Sequence, residues 1–195
     1  MANNVLNKVL FLGKDENVNK AKECMGPEFD LNNIVREPEG LDRELGYLAV
    51  DTAKKYCSEH GPEDDPKQWL KEKNPFGMYE RVGSFCEDFL AAVDNYRRTG
   101  YYYWLDWRKA NWGCKWNTYD HAGEQMTFFT ANAPCRKAYA KISEKFGITV
   151  KVMFADEDKG YNCGILVAKN GVLTEWNPEA GTQEAIEFAE NIWGC

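Results

Sequence analysis

This chain has only two histidines, no C-x-x-C pair, and neither common glycine-rich phosphate loop. That scarcity speaks against structural zinc and against nucleotide binding through a P-loop or a dinucleotide fingerprint. No metal or other cofactor is expected. Long apolar runs are missing as well; a helix needs about 20 such residues to cross a bilayer, so no membrane span is expected. A basic excess is also absent: 24 Lys and Arg face 31 Asp and Glu, for a net charge of -7. Nucleic-acid binders need a basic patch to displace counterions, so the balance argues against such a partner, although charge can be segregated. The start, Met1-Ala2-Asn3-Asn4, carries no basic stretch, and the apolar Val9 to Leu12 stops at Gly13-Lys14-Asp15-Glu16. That pattern is a strand ending in a turn, not a secretory leader, and a cytoplasmic protein is expected.

Seven cysteines stand at 24, 57, 86, 114, 135, 163 and 195. The odd number and wide spacing argue against a disulfide framework. They are read as reduced thiols, mostly buried small hydrophobes, with Cys195 exposed and reactive. What the chain does have is aromatic residues, 14% of the total. They imply a core or a binding surface built from rings.

Periodicity gives the elements. Val5 to Leu12 reads as a strand, and Lys14 to Met25 as a helix with Val18, Ala21, Lys22 and Met25 at helical spacing and Gly26-Pro27 as its stop. Phe29 to Val35 reads as a second extended segment, closed by the turn Glu37-Pro38-Glu39-Gly40. From 41 to about 98 the pattern is helical. Leu45, Leu48, Ala49, Thr52, Ala53 and Tyr56 make one stripe, Gln68 to Lys73 a short helix, and Ser84 caps a helix from Phe85 to Arg98 that buries Phe85, Phe89, Ala92, Val93 and Tyr96. This block reads as an insertion with too few apolar residues for a core of its own. Gln125 to Thr130 is the next strand, and Asn132 and Pro134 open a helix that runs to Gly147. Strands at Ile148 to Ala155, Tyr161 to Ala168 and Val172 to Trp176 follow, the last two joined by the hairpin signal Asn170-Gly171. A closing helix from Thr182 to Trp193 turns Ala185, Ile186, Phe188, Ala189 and Ile192 inward. Split strand-helix units over one antiparallel sheet fit a single α+β domain of ferredoxin-like type, residues 1–195, with packed helices and a helical insertion at about 41–98.

One segment stands out. Trp107-x-x-x-Asn111-Trp112-Gly113-x-Lys115-Trp116-Asn117 resembles the central motif of a family of unknown function with a ferredoxin-like domain, found on bacterial plasmids, phages and genomic islands. The likeness continues through Asp120, through Thr127-Phe128-Phe129-Thr130-Ala131 before Pro134, and through Gly160-Tyr161-Asn162-Cys163-Gly164. It takes in the N-terminal strand-helix and Pro38-Glu39, and so most of the chain outside 41–98. Cys114 replaces the usual Thr, and Asn132 and Cys135 stand where the family tends to have Trp and Pro. The resemblance implies a fold, a mobile-element setting and a bacterial host cell, but no reaction.

Trp104, Trp107, Arg108, Asn111, Trp112, Lys115, Trp116 and Asn117 are the candidate ligand-binding residues, able in principle to stack a base and hold phosphates. The favoured reading is an aromatic core whose indole N–H groups find partners such as Asn111 and Asn117, with Gly113 allowing a tight turn. Asp156 to Asn162 superficially suggests a calcium loop, but its glycine is one position early and Val167 takes the place of the terminal glutamate. A solvated hairpin turn is expected there. His121 after Asp120 is a conceivable base with Cys114 as nucleophile; a surface histidine is the plainer reading. The acidic stretches Glu28 to Asp30, Glu37 to Glu44 and Glu63 to Asp65 either mimic a phosphate backbone or form ordinary solvated surface. The expected function is non-catalytic: a phage or mobile-element protein that binds a host protein through the helical insert and acidic surface, plausibly against a host defence. The alternatives are sequestration of a small nucleotide signal by the tryptophans and a small nucleotide-processing enzyme. The oligomeric state is left open.

Overall fold

The computed structural model describes residues 2–61, 64–73, 83–122 and 126–194. Along the chain the elements are β1 (Asn4–Leu12), α1 (Asp15–Met25), a 3-10 turn (Leu31–Asn33), α2 (Tyr47–Glu59), α3 (Pro66–Lys73), α4 (Gly83–Thr99) and α5 (Trp104–Asn111). Then come β2 (Tyr119–Ala122), β3 (Met126–Ala131), α6 (Arg136–Phe146), β4 (Thr149–Asp156), β5 (Cys163–Lys169), β6 (Val172–Trp176) and α7 (Gln183–Trp193). The chain divides into two compact units: one of residues 1–36 and 108–195, which holds the sheet, and one of residues 37–107, which is helical.

The sheet runs β2-β3-β1-β4-β5-β6. Every neighbouring pair is antiparallel. The expected α+β antiparallel sheet with packed helices is therefore present. Strand alternation sends Val5, Asn7, Val9 and Phe11 of β1 to one face, where all four are buried. There they join Phe128 and Thr130 of β3, Val150, Val152 and Phe154 of β4, and Leu166 and Ala168 of β5. Helix α6 lies on this face through Ala138, Tyr139 and Ile142, with α1 packed beside it. Phe29 sits among these residues, stacked on Phe128 at 4.6 Å and tilted against Phe11 at 6.1 Å. Its backbone has φ 45°. A left-handed non-glycine residue costs ~1–2 kcal/mol; burying a phenyl ring contributes about 1.5–3 kcal/mol, so packing wins. On the opposite face α7 covers only one end of the sheet, gathering Leu6, Ala155, Cys163, Ala185, Ala189 and Ile192.

Four local expectations change. The strand expected at 29–35 is replaced by a 3-10 turn at Leu31–Asn33. The turn's donors go to side chains: Asp30 accepts from Asn32 N at 2.9 Å and Asn117 from Leu31 N at 3.0 Å. β2, absent from the sequence reading, spans only four polar-rich residues with a register shift between Tyr119 and Ala122. Helix α6 starts at Arg136, so Asn132 and Pro134 precede it. Helix α4 already includes Gly83, so Ser84 lies within the helix and not at its cap. Glu63, Gln125 and Cys195 lie outside the described residues.

The helical unit does gather a core, contrary to its expected poverty in apolar residues. Ala49, Val50, Ala53 and Tyr56 of α2 meet Leu70 of α3 and Phe85, Phe89, Ala92 and Val93 of α4. Leu48 and Tyr96, expected inside, are exposed. Tyr56 anchors the corner after α2, donating to Asp64 O at 2.8 Å and stacking on His60 at 4.7 Å. Asp64 and Asp65 work locally as well. Asp64 accepts from Gly61 N at 2.8 Å, and Asp65 caps α3 through Lys67 N at 2.9 Å.

Candidate functional site

The tryptophan segment is distributed over both units. Trp104 and Trp107, buried on α5, belong to the helical unit, and the remaining candidates belong to the sheet unit. In the sheet unit, Trp112 is 1% exposed, and its Nε1 donates to Val35 O at 2.8 Å. The Arg108 guanidinium lies 5.3 Å from that ring's centroid. Helix α6 has no side-chain cap at Cys135, and the Trp112 carbonyl takes over, accepting from Lys137 N at 3.1 Å and Ala138 N at 3.2 Å. This approach is why residue 113 is glycine. It has φ +90°, and an added Cβ would stand 2.9 Å from Arg136 N and 3.0 Å from Lys137 N. Asn117 is similarly occupied, donating to Asp30 Oδ1 at 2.6 Å besides holding Leu31. Asn111 accepts from Lys141 Nζ at 3.5 Å. Trp116, with Lys115 Nζ 5.0 Å from its ring centre, is the indole of the segment that meets solvent, at 39%.

The other candidates are engaged too. Cys114 is buried, and its thiol is pushed well above the usual range by a hydrogen bond with Cys135 and then by burial. A thiol held protonated is a poor nucleophile. His121 is exposed, its Nε2 2.9 Å from Thr118 Oγ1. In the acidic turn Asp156 accepts from Asn3 Nδ2 at 3.1 Å, Asp158 N at 3.0 Å and Asn162 Nδ2 at 3.0 Å, which is the chemistry of a pinned hairpin. Of the cysteines, Cys114, Cys135 and Cys163 are buried and Cys24, Cys57 and Cys86 half-buried, all as free thiols.

The surface that the sequence reading missed is the half of the sheet that α7 leaves open. Register places its outward side chains in rows. Lys8, Met153, Ile165 and Trp176 lie side by side across β1, β4, β5 and β6, in the row that borders α7, where Met153 packs against the α7 cluster and Trp176 meets Phe188 edge-on at 5.5 Å. The next row is Leu10, Lys151, Val167 and Thr174, and the last is Leu12, Thr149, Lys169 and Val172. Leu10 is 52% exposed, Leu12 45%, Val172 65% and Trp176 46%. No Asp or Glu stands at these positions. Lys8, Lys151 and Lys169 have no ion-pair partner among the described residues. A groove of about 380 Å³ adjoins the Lys8 corner, lined by Lys8, Leu10, Lys22, Met126 and Met153 with Val9 and Phe11. The signal was present in β1, where Lys8, Leu10 and Leu12 share one parity and the core residues the other.

Among the described residues no helix is long and apolar enough to cross a membrane, and no cluster of His, Cys, Asp and Glu could hold a metal ion. No curated protein matches the chain. A solved structure, that of protein api92 from Yersinia pseudotuberculosis, overlaps 92% of this chain and 99% of its own at 8% identity and a TM-score of 0.42, too loose a superposition to carry an argument. Residues 111–195, which begin inside the tryptophan motif and take in five of the six strands, match the family model described as the ferredoxin-like domain in Api92-like protein.

Proposed function

We propose that this chain is a non-catalytic binding protein of a phage or other mobile element, which counteracts a host defence by binding a host protein. The mobile-element setting draws on the sequence resemblance. The binding role draws on the open sheet face, where Leu10, Leu12, Val172 and Trp176 stand in solvent beside lysines that lack ion-pair partners among the described residues. Exposed apolar side chains gathered on one rigid surface mark interaction sites. The sheet is preferred here to the helical insert and acidic stretches as the contact surface, Asp30, Asp64 and Asp65 of those stretches each accepting a local backbone hydrogen bond. Sequestration of a nucleotide by the tryptophans is less well supported, since Trp112 offers no ring face to solvent.

Affinity capture from a bacterial lysate with the whole chain, followed by mass spectrometry, tests the reading. One host protein is expected to be retained by the native chain and lost with Leu10→Ser/Val167→Ser. An empty capture, or nucleotide turnover by the purified protein that His121→Ala abolishes, overturns it.

A further inference from the structure

On the open face the lysines do not scatter. Lys8 on β1, Lys151 on β4 and Lys169 on β5 each fall one strand over and one row down from the last. With strands ~4.8 Å apart and same-face residues ~6.8 Å apart, they form a diagonal with steps of roughly 8 Å and a total length of roughly 17 Å. Immediately beside it runs a second diagonal, Met153, Val167 and Val172, and beyond that Ile165 and Thr174. The face is thus a cationic line flanking an apolar line. Three turns of α-helix span ~16 Å, so a helix laid along these lines meets all three lysines with one flank.

We infer that this face docks an acidic amphipathic helix of a partner protein, its apolar stripe over Met153, Val167 and Val172 and its carboxylates along Lys8, Lys151 and Lys169. This rests on the binding-protein reading and names the partner's chemistry. Charge complementarity carries it. In a chain of net charge -7, these outward strand positions hold three lysines and no carboxylate. A helix with acidic flank residues supplies the missing counter-charges, and its leucine-type side chains cover apolar surface that would otherwise stay wet. A single nucleic-acid strand fits less well. Base stacking needs rings, yet the centre of this face is aliphatic, and its one large exposed ring, Trp176, stands on the outermost strand.

The test uses the whole chain and a synthetic, fluorescein-labelled helical peptide with leucines on one stripe and glutamates along one flank, read by anisotropy. The acidic peptide is expected to bind, with affinity falling as salt is raised. Lys151→Glu should weaken it about tenfold, and the Lys8→Glu/Lys151→Glu/Lys169→Glu variant should abolish it. A companion peptide with lysine for glutamate should bind that triple variant and not the native chain. Lys71→Glu, on α3, is the unaffected control, and urea midpoints confirm that each variant is folded. Equal binding of the acidic peptide to native and triple-variant chains overturns the inference, as does no binding to the native chain. Tighter binding of oligo-thymidine that is lost in the triple variant reassigns the face to nucleic acid. A dimer in sedimentation that Lys151→Glu disperses gives the face to a second copy and overturns the inference equally. Lysate capture separates the two proposals. If the triple variant still retains the host protein, the docking inference fails and the binding reading stands. If the peptide behaves as expected but the lysate yields nothing, the binding reading fails alone.

Discussion

On the side of the sheet under α6, the buried polar groups hold one another. Tyr139 Oη donates to Asn7 Oδ1 at 2.9 Å, Asn7 Nδ2 donates to Thr130 Oγ1 at 2.8 Å, and Thr130 Oγ1 donates to Ala133 O at 2.9 Å. On the other side, Lys8, Lys151 and Lys169 find no ionic partner among the described residues, and leucines meet water. The same strands supply both faces, residue by residue in alternation. Desolvation makes an unpaired polar group on the closed side costly, so every hydrogen bond there is worth completing. On the open side solvent tolerates an unpaired lysine, and the arrangement is free to serve something other than stability. The contrast separates the residues that fold this unit from those that its stability does not require.

The sharpest way to break that contrast is to truncate each side in turn. Phe128→Ala, which removes a fully buried ring stacked on Phe29, is expected to cost about 3–5 kcal/mol in urea unfolding. Gly113→Ala comes next. Its Cβ meets the α6 backbone at a positive φ, and a loss of about 2–3 kcal/mol is expected, with weakened protection of the Lys137 and Ala138 amides in hydrogen exchange. Tyr139→Phe leaves Asn7 Oδ1 without its donor in a dry site and should cost about 1–2 kcal/mol. Leu10→Ala on the open side is expected to stay within about 0.5 kcal/mol of the native chain; a cost like that of Phe128→Ala would mean that the face is not open in solution.

The smallest effect concerns pH. Glu175 on β6 accepts from Arg136 Nε at 2.9 Å, and that hydrogen bond outweighs an opposing desolvation and, with the cation's charge and a hydrogen bond from Asn177, holds its carboxyl below the usual carboxylate range. A depressed native value contributes stability that is complete above the unfolded-state value and disappears as pH falls through the native one. Glu175→Gln should therefore lower the neutral plateau slightly and flatten the acid side of the stability profile, so that the two chains converge at low pH, an effect limited by solvent screening. An unchanged acid limb in this variant would show that Arg136 and Glu175 are not coupled in solution.

Much of the fold was legible because periodicity is a local signal. The apolar runs of β4 and β5, the Asn170-Gly171 turn and the helical stripe of α7 each announce themselves within a few residues. Residues 29–35 misled because their apolar spacing suits a strand, while the contacts that hold the turn are remote: Asn117 accepts from Leu31 N and donates to Asp30. Asn117 is expected to receive an indole N–H, yet it bonds the Asp30 turn and Trp112 Nε1 goes to Val35 O, because those contacts span roughly 80 residues of chain. The lysine diagonal was invisible for a related reason. It exists only once register sets three strands side by side.

The carbonyl of Trp112 that caps α6 sets how freely different parts of this unit can be substituted. The motif's most distinctive letters are spent on a joint between a loop and a helix, and that joint constrains its residues tightly. The outward positions of β1, β4, β5 and β6 demand little beyond compatibility with a strand. Those outward positions can therefore be changed, and the character of that face with them, without disturbing the joint that Trp112 and Gly113 make with α6.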